Sequence, residues 1–289
     1  MIRRWQKKWC SVLMKRSEII QAEKMSADAH SGGAIHQKWV ANYRTPEMQA
    51  FYDMAFDKIV KLLDAPRDSM ILDAGCGSCA KSVLLASKGF RVTAVDYSAD
   101  ALKLAKETIY AQGLADRVTL KQEDLLGLSF PDRSFQYALC WGVLMHIPDV
   151  QRALSELARI VKPGGILVLS EGNVNSMQAK LMRTLKKLLR RERAEVRHIP
   201  AGIEYLEKTD QGTLLTRQTN MSWLITECDR LGFDVKARIA GQFTELYVAV
   251  PWRPFKTLLH GLNSLWFQHV GWAGPAFGNI LILEKRLSA

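Results

Sequence analysis

Ser69-Met70-Ile71-Leu72-Asp73-Ala74-Gly75-Cys76-Gly77-Ser78-Cys79-Ala80 is the stretch on which the fold is decided. Its first six residues are a short apolar run that ends beside a carboxylate, the pattern of a buried strand. Gly75 and Gly77 follow, and residues 80–88 take up helical spacing until Gly89. Glycines between a strand and a helix let the backbone turn tightly and let a ligand come close, while the helix offers its first N–H groups. The spacing Gly75-x-Gly77-x-x-Ala80 also fits a dinucleotide fingerprint with alanine in third place. Asp73 argues against that ligand. A carboxylate two residues before the first glycine repels a pyrophosphate and favours a sulfonium that also carries an amino group.

The same rhythm extends outward. Residues 91–97, 118–123, 135–141 and 166–170 read as further strands, and residues 99–112 and 150–161 as helices. Ser98 caps the first of these helices and Gly113 stops it; Lys162-Pro163-Gly164-Gly165 stops the second. Strands alternating with helices predict a parallel sheet with crossover helices. Asp96 ends the second strand, where a carboxylate can accept both hydroxyls of a ribose. Asp124 ends the third, behind Glu123, and can accept a hydrogen bond from an adenine amino group. After residue 172 the rhythm breaks. Residues 176–193 form a basic helical segment with Leu181, Met182, Leu185, Leu188 and Leu189 on one face. Residues 220–231 read as a helix, and residues 243–250 and 278–285 as the last two strands.

Residues 71–172 resemble the class I S-adenosylmethionine-dependent methyltransferases, especially the branch with quinone-biosynthesis enzymes. Ile71-Leu72-Asp73-Ala74-Gly75-Cys76-Gly77 is similar to the first motif of that family. Val95-Asp96-Tyr97-Ser98 resembles its ribose-binding acidic loop, and Glu123-Asp124-Leu125 its adenine-binding turn. Phe130-Pro131-Asp132-Arg133-Ser134-Phe135, Val143-Leu144-Met145-His146-Ile147-Pro148-Asp149 and Leu157-Ala158-Arg159-Ile160-Val161-Lys162-Pro163-Gly164-Gly165 resemble the signatures that follow. The resemblance implies an α/β, Rossmann-like sheet of seven mostly parallel strands, helices on both faces, and an antiparallel last strand. It implies S-adenosylmethionine as cofactor, held by Asp73, Gly75, Gly77, Asp96, Tyr97, Asp124 and Leu125. One departure is Cys79, which stands where many relatives have a third glycine and so bears on how tightly the loop can turn.

Methyl transfer from a sulfonium is an in-line displacement, so alignment and exclusion of water do most of the work. Neither a metal nor a covalent residue is called for. Cys140-Trp141-Gly142, at the end of the fourth strand, is expected to face the methyl group, and Cys140 is counted with the cofactor site. An Asn-Pro-Pro-Tyr type sequence is absent there, which argues for a nucleophile other than an exocyclic amine. His146 is a candidate general base because imidazole titrates near neutrality; a structural histidine before Pro148 is the plainer alternative. In similar enzymes the segment at Tyr43-Arg44 folds over the cofactor, and Arg44 is a candidate partner for the methionine carboxylate.

The chain of 289 residues has a net charge of +11. Residues 1–24 hold a net +5 and residues 173–200 a net +6, so two segments hold the whole excess. Both space apolar residues at helical intervals, with Trp5 and Trp9 in the first. Basic amphipathic helices suit an anionic membrane surface. Packing on the core, a dimer contact and an RNA-binding arm remain alternatives. Five cysteines at irregular spacing carry no disulfide or metal framework and fit a reducing compartment. The expected organisation is a basic N-terminal extension and cofactor-covering segment (1–45), the cofactor-binding core (46–172), a basic helical insertion (173–217) and a C-terminal part (218–289) with an aromatic-rich cover at 252–272. The expected protein is a cytoplasmic methyltransferase acting on a small-molecule or lipid-like acceptor, with the inner face of the membrane as a second location. An RNA methyltransferase, an NAD-dependent oxidoreductase and a non-catalytic binding protein on the same fold are the competing readings. Oligomeric state is left open.

Overall fold

The computed structural model describes residue 43 and residues 45–188, 195–209, 212–250 and 252–287. The basic segment 1–24 and Arg44 thus lie outside the described residues. Helix α1 (Pro46–Leu63) starts at Thr45, whose hydroxyl accepts from the Met48 amide at 3.3 Å, with Pro46 in the first turn where its missing N–H costs nothing. Then come β1 (Met70–Ala74), α2 (Ala80–Ser87), β2 (Arg91–Asp96), α3 (Ala99–Ala111), β3 (Val118–Gln122) and β4 (Phe135–Trp141). A 3-10 turn at Leu144–His146 leads into α4 (Val150–Ile160) and β5 (Val161–Gly172). Ser98 caps α3 as the sequence predicts, accepting from the Ala101 amide at 3.1 Å.

The chain continues through α5 (Met177–Leu188), β6 (Glu195–Ile199), β7 (Gly202–Thr209), β8 (Gly212–Thr219), α6 (Met221–Arg230) and β9 (Phe233–Ala240). After a 3-10 turn at Leu246–Val248 come α7 (Arg253–Leu265), a π turn at Trp266–Val270, and β10 (Gly278–Lys285). The main sheet has seven strands in the order β3-β2-β1-β4-β5-β10-β9. β1 to β5 pair in parallel, and β10 runs antiparallel to both β5 and β9, as the resemblance implies. β10 has neighbours on both edges, so Ile280, Leu281, Ile282 and Leu283 are fully buried and read as an unbroken apolar run.

Side-chain alternation along each strand divides the core into two layers. Ile71 of β1 joins Phe51, Phe56 and Ile59 of α1 on one face, while Leu72 and Ala74 join Leu154 and Leu157 of α4 on the other. Truncating Leu154 or Leu157 to alanine would open a cavity costing roughly 2–5 kcal/mol. β5 starts at Val161, before the residue 166 expected. Its pairing with β4 is irregular there, and Gly164 takes φ +72 while a Cβ on Gly165 would lie 2.8 Å from two backbone oxygens. The Lys-Pro-Gly-Gly stop signal ends the helix and also shapes an irregular strand entry.

Two expectations need correction. The strand predicted at residues 243–250 is instead a loop with a 3-10 turn, and the true penultimate strand is β9. β9 lies at the sheet edge with Asp234, Lys236 and Arg238 among its residues, which hides its strand character, while residues 243–250 are apolar because Tyr247 is buried in the core beside α1 and Leu246 packs against it. The segment expected as a helical insertion is helical only through α5. Its second half is a three-stranded antiparallel sheet, β6-β7-β8, joined to the end of β5 by a bridge between Asn173 and Thr219. Gly202 is needed there: it has φ +147, and a Cβ would lie 2.0 Å from the Gln218 carbonyl oxygen.

Candidate active site

The carboxyl ends of the parallel strands open on one cavity of about 600 Å³. Its floor is the turn between β1 and α2. Gly75 and Gly77 have φ of +81 and +52, and a Cβ on Gly75 would meet Val143 at 2.4 Å, so the loop after β4 lies directly over the glycine turn. Cys79, in place of a third glycine, adopts the left-handed conformation itself (φ 63) and is fully buried. The turn survives the departure because the side chain is absorbed by the core, at a backbone strain of about 1 kcal/mol.

Asp73 ends β1 almost completely buried and accepts from the Ser82 hydroxyl of α2 at 2.5 Å. Burial pushes its carboxyl up to about 6. Asp73 therefore ties the first helix to the strand and also lines the cavity. Asp96 ends β2, and its carboxylate accepts from the Gly77 amide at 2.8 Å and the Ser98 amide at 2.9 Å. Those two bonds fix it beside the glycine turn. Asp124 accepts from the Leu126 amide at 2.9 Å in an exposed turn after β3, with Leu125 buried behind it. Tyr97 is 47% exposed and forms part of the same wall. Seven of the ten site residues named from sequence, Asp73, Gly75, Gly77, Asp96, Tyr97, Asp124 and Leu125, thus meet around one end of the cavity.

His146 also lines it, on the turn after β4, and its Nδ1 lies 2.8 Å from the Leu215 carbonyl oxygen. A carbonyl only accepts, so Nδ1 carries a proton, and Nε2 is the acceptor nitrogen whenever the ring is neutral. Cys140 does not reach the cavity: it is fully buried among Leu72, Ala74 and Leu157, and burial pushes its thiol well up. Strand alternation turns its neighbour Trp141 inward instead. Trp141 lines the cavity, 6.0 Å from the ring of Tyr52 and 5.3 Å from that of Phe56. Arg44 lies outside the described residues; Tyr43, next to it, lines the cavity as expected.

Sequence reasoning missed Glu171 and Glu245. Glu171 sits at the end of β5, buried, and accepts from the Leu144 amide at 3.1 Å; burial pushes its carboxyl up to about 8. The rule that served Asp73, Asp96 and Asp124, a carboxylate where a parallel strand ends, applies to it equally. Glu245 follows β9, outside any motif. The added sheet supports this end of the cavity. Arg217 of β8, 1% exposed, donates to the carbonyls of Leu144, Ile147 and Pro148 and pairs with Glu204 at 2.5 Å. Thr219, two residues on, donates to Glu171 at 3.5 Å. One strand thus braces both the His146 turn and Glu171.

A doubly layered sheet of this order, with a glycine turn after β1 and carboxylates ending β2 and β3, is the fold of the class I S-adenosylmethionine-dependent methyltransferases. Residues 72–169 match the family model described as a methyltransferase domain, and the chain carries that domain. It is similar to the demethylmenaquinone methyltransferase of Desulfitobacterium hafniense, 33% identical over 115 residues, 38% of this chain and 45% of that one. It is 39% identical over 111 residues to the 2-methyl-6-phytyl-1,4-hydroquinone methyltransferase of Synechocystis, 37% of this chain and 33% of that one. The alignments thus span less than half the length of these curated relatives. Among solved structures, a SAM-dependent methyltransferase from Methanosarcina mazei shares the fold, with a TM-score of 0.55 and 24% identity over 80% of this chain and 98% of that one. S-adenosylmethionine is the cofactor of this family, and the acidic, glycine-floored end of the cavity fits its cationic sulfonium and its ribose.

Proposed function

We propose that this protein transfers a methyl group from S-adenosylmethionine to a small, lipid-like acceptor that carries an aromatic ring. The observation that carries this reading is the division of one cavity into two ends. The end over β1, β2 and β3 has the carboxylates and glycines suited to the cofactor. The end over β4, β5 and β9 has Trp141, Tyr52, Phe51 and Phe277, with Glu171 and His146 as polar groups. When bound, the cofactor supplies an electrophilic methyl group. Asp96 holds its ribose hydroxyls, Asp124 and Leu125 its adenine, and the backbone of the glycine turn its amino-acid end. His146 takes the proton from the acceptor hydroxyl, Nδ1 being committed to Leu215. Val143 and the turn after β4 keep water from the reacting atoms.

The acceptor is reached from an anionic membrane surface on the cytoplasmic side. Helix α5 exposes Met177, Leu181, Leu185 and Leu188, with Lys180, Arg183, Lys186 and Lys187 among them. Helix α7 and its π turn expose Leu258, Leu262, Leu265 and Val270, with Trp252 and Trp272 at the two ends. Both helices fasten to the loop beside the cavity. Gln178 of α5 accepts from the Thr244 hydroxyl at 2.6 Å, and Asn263 of α7 accepts from the Thr244 amide at 2.9 Å. Each cation near an anionic surface is worth about 1 kcal/mol, within a Debye length of about 8 Å. No helix among the described residues is long and apolar enough to cross a membrane, so the reading is attachment to one leaflet.

The test is methyl-labelled S-adenosylmethionine incubated with the protein and anionic vesicles loaded with a membrane lipid extract, with RNA as competitor. Label should enter the organic phase, and the protein should float with anionic but not neutral vesicles. Label recovered in RNA, or vesicles ignored, would remove the lipid-acceptor reading.

A further inference from the structure

Lys81 is a charged side chain of the cavity that the proposed transfer leaves without a role. Five carboxylates line this cavity, those of Asp73, Asp96, Asp124, Glu171 and Glu245, and among its described lining residues Lys81 is the single lysine or arginine. It stands half-buried in the first turn of α2, four residues after Gly77. A cation is unfavourable at that end of a helix, where the backbone N–H groups already carry partial positive charge, so local preference does not account for it. Its ammonium lies 3.8 Å from the ring centroid of Tyr52, a buried residue of α1 that lines the same cavity. The negative face of an aromatic ring holds a cation in such a place. Lys81 is also within electrostatic reach of Asp73. Burial raises the Asp73 carboxyl, and the Ser82 hydroxyl and then the Lys81 ammonium pull it back down. An anionic and a cationic side chain thus meet beside the glycine turn.

Resting on the methyl-transfer reading, we propose that Lys81 and Asp73 form a clamp for the amino-acid end of the cofactor, Lys81 on its carboxylate and Asp73 on its ammonium, so that the protein selects adenosyl ligands carrying both groups. The chemistry of the ligand asks for such a pair. Its sulfonium and ammonium suit an acidic cavity, but its carboxylate is repelled by one and needs a counter-charge. Lys81 supplies that charge at the end of the cavity where the glycine turn and Asp73 already stand. The carboxylate partner is then Lys81, not the Arg44 expected from the sequence. A site that pairs with a charged group discriminates against the analogue lacking it, because its own group is then left alone. The decarboxylated ligand keeps the adenosine and the amino group, and brings a second cation toward Lys81 with no anion to balance it. Lys81 acts here as a specificity residue for the cofactor.

The test is calorimetric binding of three ligands to the full chain: S-adenosylhomocysteine, its decarboxylated analogue, and 5′-methylthioadenosine, which lacks the whole amino-acid end. Wild type should favour S-adenosylhomocysteine over the decarboxylated analogue by about 10- to 100-fold in Kd, the range of one charge-assisted hydrogen bond. Lys81→Met keeps the length of the side chain without its charge, and should bring that ratio close to one by weakening S-adenosylhomocysteine alone. Lys81→Gln should behave alike, while Lys81→Arg, which still offers donors to a carboxylate, should keep most of the preference. Affinity for 5′-methylthioadenosine should stay at the wild-type value in all three variants. Equal binding of S-adenosylhomocysteine and its decarboxylated analogue by wild type overturns the inference and leaves the methyl-transfer reading in place. An equal loss of all three ligands in Lys81→Met overturns it too, by making Lys81 a support of the loop and not a partner of the carboxylate. So does a preference that survives in Lys81→Met and disappears in Arg44→Met. A wild type that binds none of the three ligands removes the methyl-transfer reading and this inference with it.

Discussion

Replacing Asp96 with alanine should weaken the cofactor far more than the fold. The carboxylate is positioned at the cavity wall by the Gly77 amide at 2.8 Å and the Ser98 amide at 2.9 Å, where two ribose hydroxyls are expected to meet it. A hydrogen bond to an ionised acceptor is worth about 1.5–3 kcal/mol net, so two of them amount to roughly 3–6 kcal/mol, or about 10²- to 10⁴-fold in Kd. The site is only partly buried, so water can occupy the place of the lost carboxylate, and the two amides should cost about 1 kcal/mol of stability. Asp96→Asn keeps the shape and one acceptor and should lose less. Calorimetric titration with S-adenosylhomocysteine measures the first effect and urea denaturation the second. If Asp96→Ala folds normally and binds as tightly as wild type, the ribose does not lie where the strand-end argument puts it.

Gly75→Ala should lower both melting temperature and cofactor affinity, because its Cβ would lie 2.4 Å from Val143 at φ +81; thermal denaturation with and without S-adenosylhomocysteine reads both. Arg217→Met leaves Glu204 and three backbone carbonyls without their donor in a buried place, and should cost roughly 3–5 kcal/mol in urea denaturation, with less lost when Glu204→Leu is added. Burial raises Glu171 from 4.5 to about 8, so the folded state keeps its proton over a range where the unfolded state has lost it. Stability should then fall as pH rises from 4.5 to about 8, at up to about 1.4 kcal/mol per pH unit, and Glu171→Gln should flatten that part of the denaturation profile.

The half of the fold that binds cofactor was legible because its signals are local. A buried parallel strand reads as a short apolar run, Ser98 caps a helix through one hydrogen bond, and each of Asp73, Asp96 and Asp124 sits where a strand gives way to a turn. The antiparallel last strand came with the family resemblance and is present as β10. What escaped was set by long-range contacts. β9 is an edge strand whose charged residues mask its pairing, and residues 243–250 are apolar because Tyr247 and Leu246 pack into the core beside α1. The β6-β7-β8 sheet holds its place through Arg217, Thr219 and the Leu215 carbonyl, contacts with residues some 50 to 70 positions away that no local pattern announces. Within the site, Cys140 faces the core side of its strand, and its neighbour Trp141 lines the cavity instead. Glu245 belongs to no motif and is recognisable only once the cavity is seen.

The central claim is that the cavity floored by Gly75 and Gly77 takes an S-adenosyl ligand. Isothermal titration of the full chain with S-adenosylhomocysteine, and in parallel with NAD, tests it most directly. One S-adenosylhomocysteine should bind per chain and be weakened by Asp96→Ala, with no heat from NAD. Saturable binding of NAD at the Asp96 site, with none of S-adenosylhomocysteine, would contradict the account.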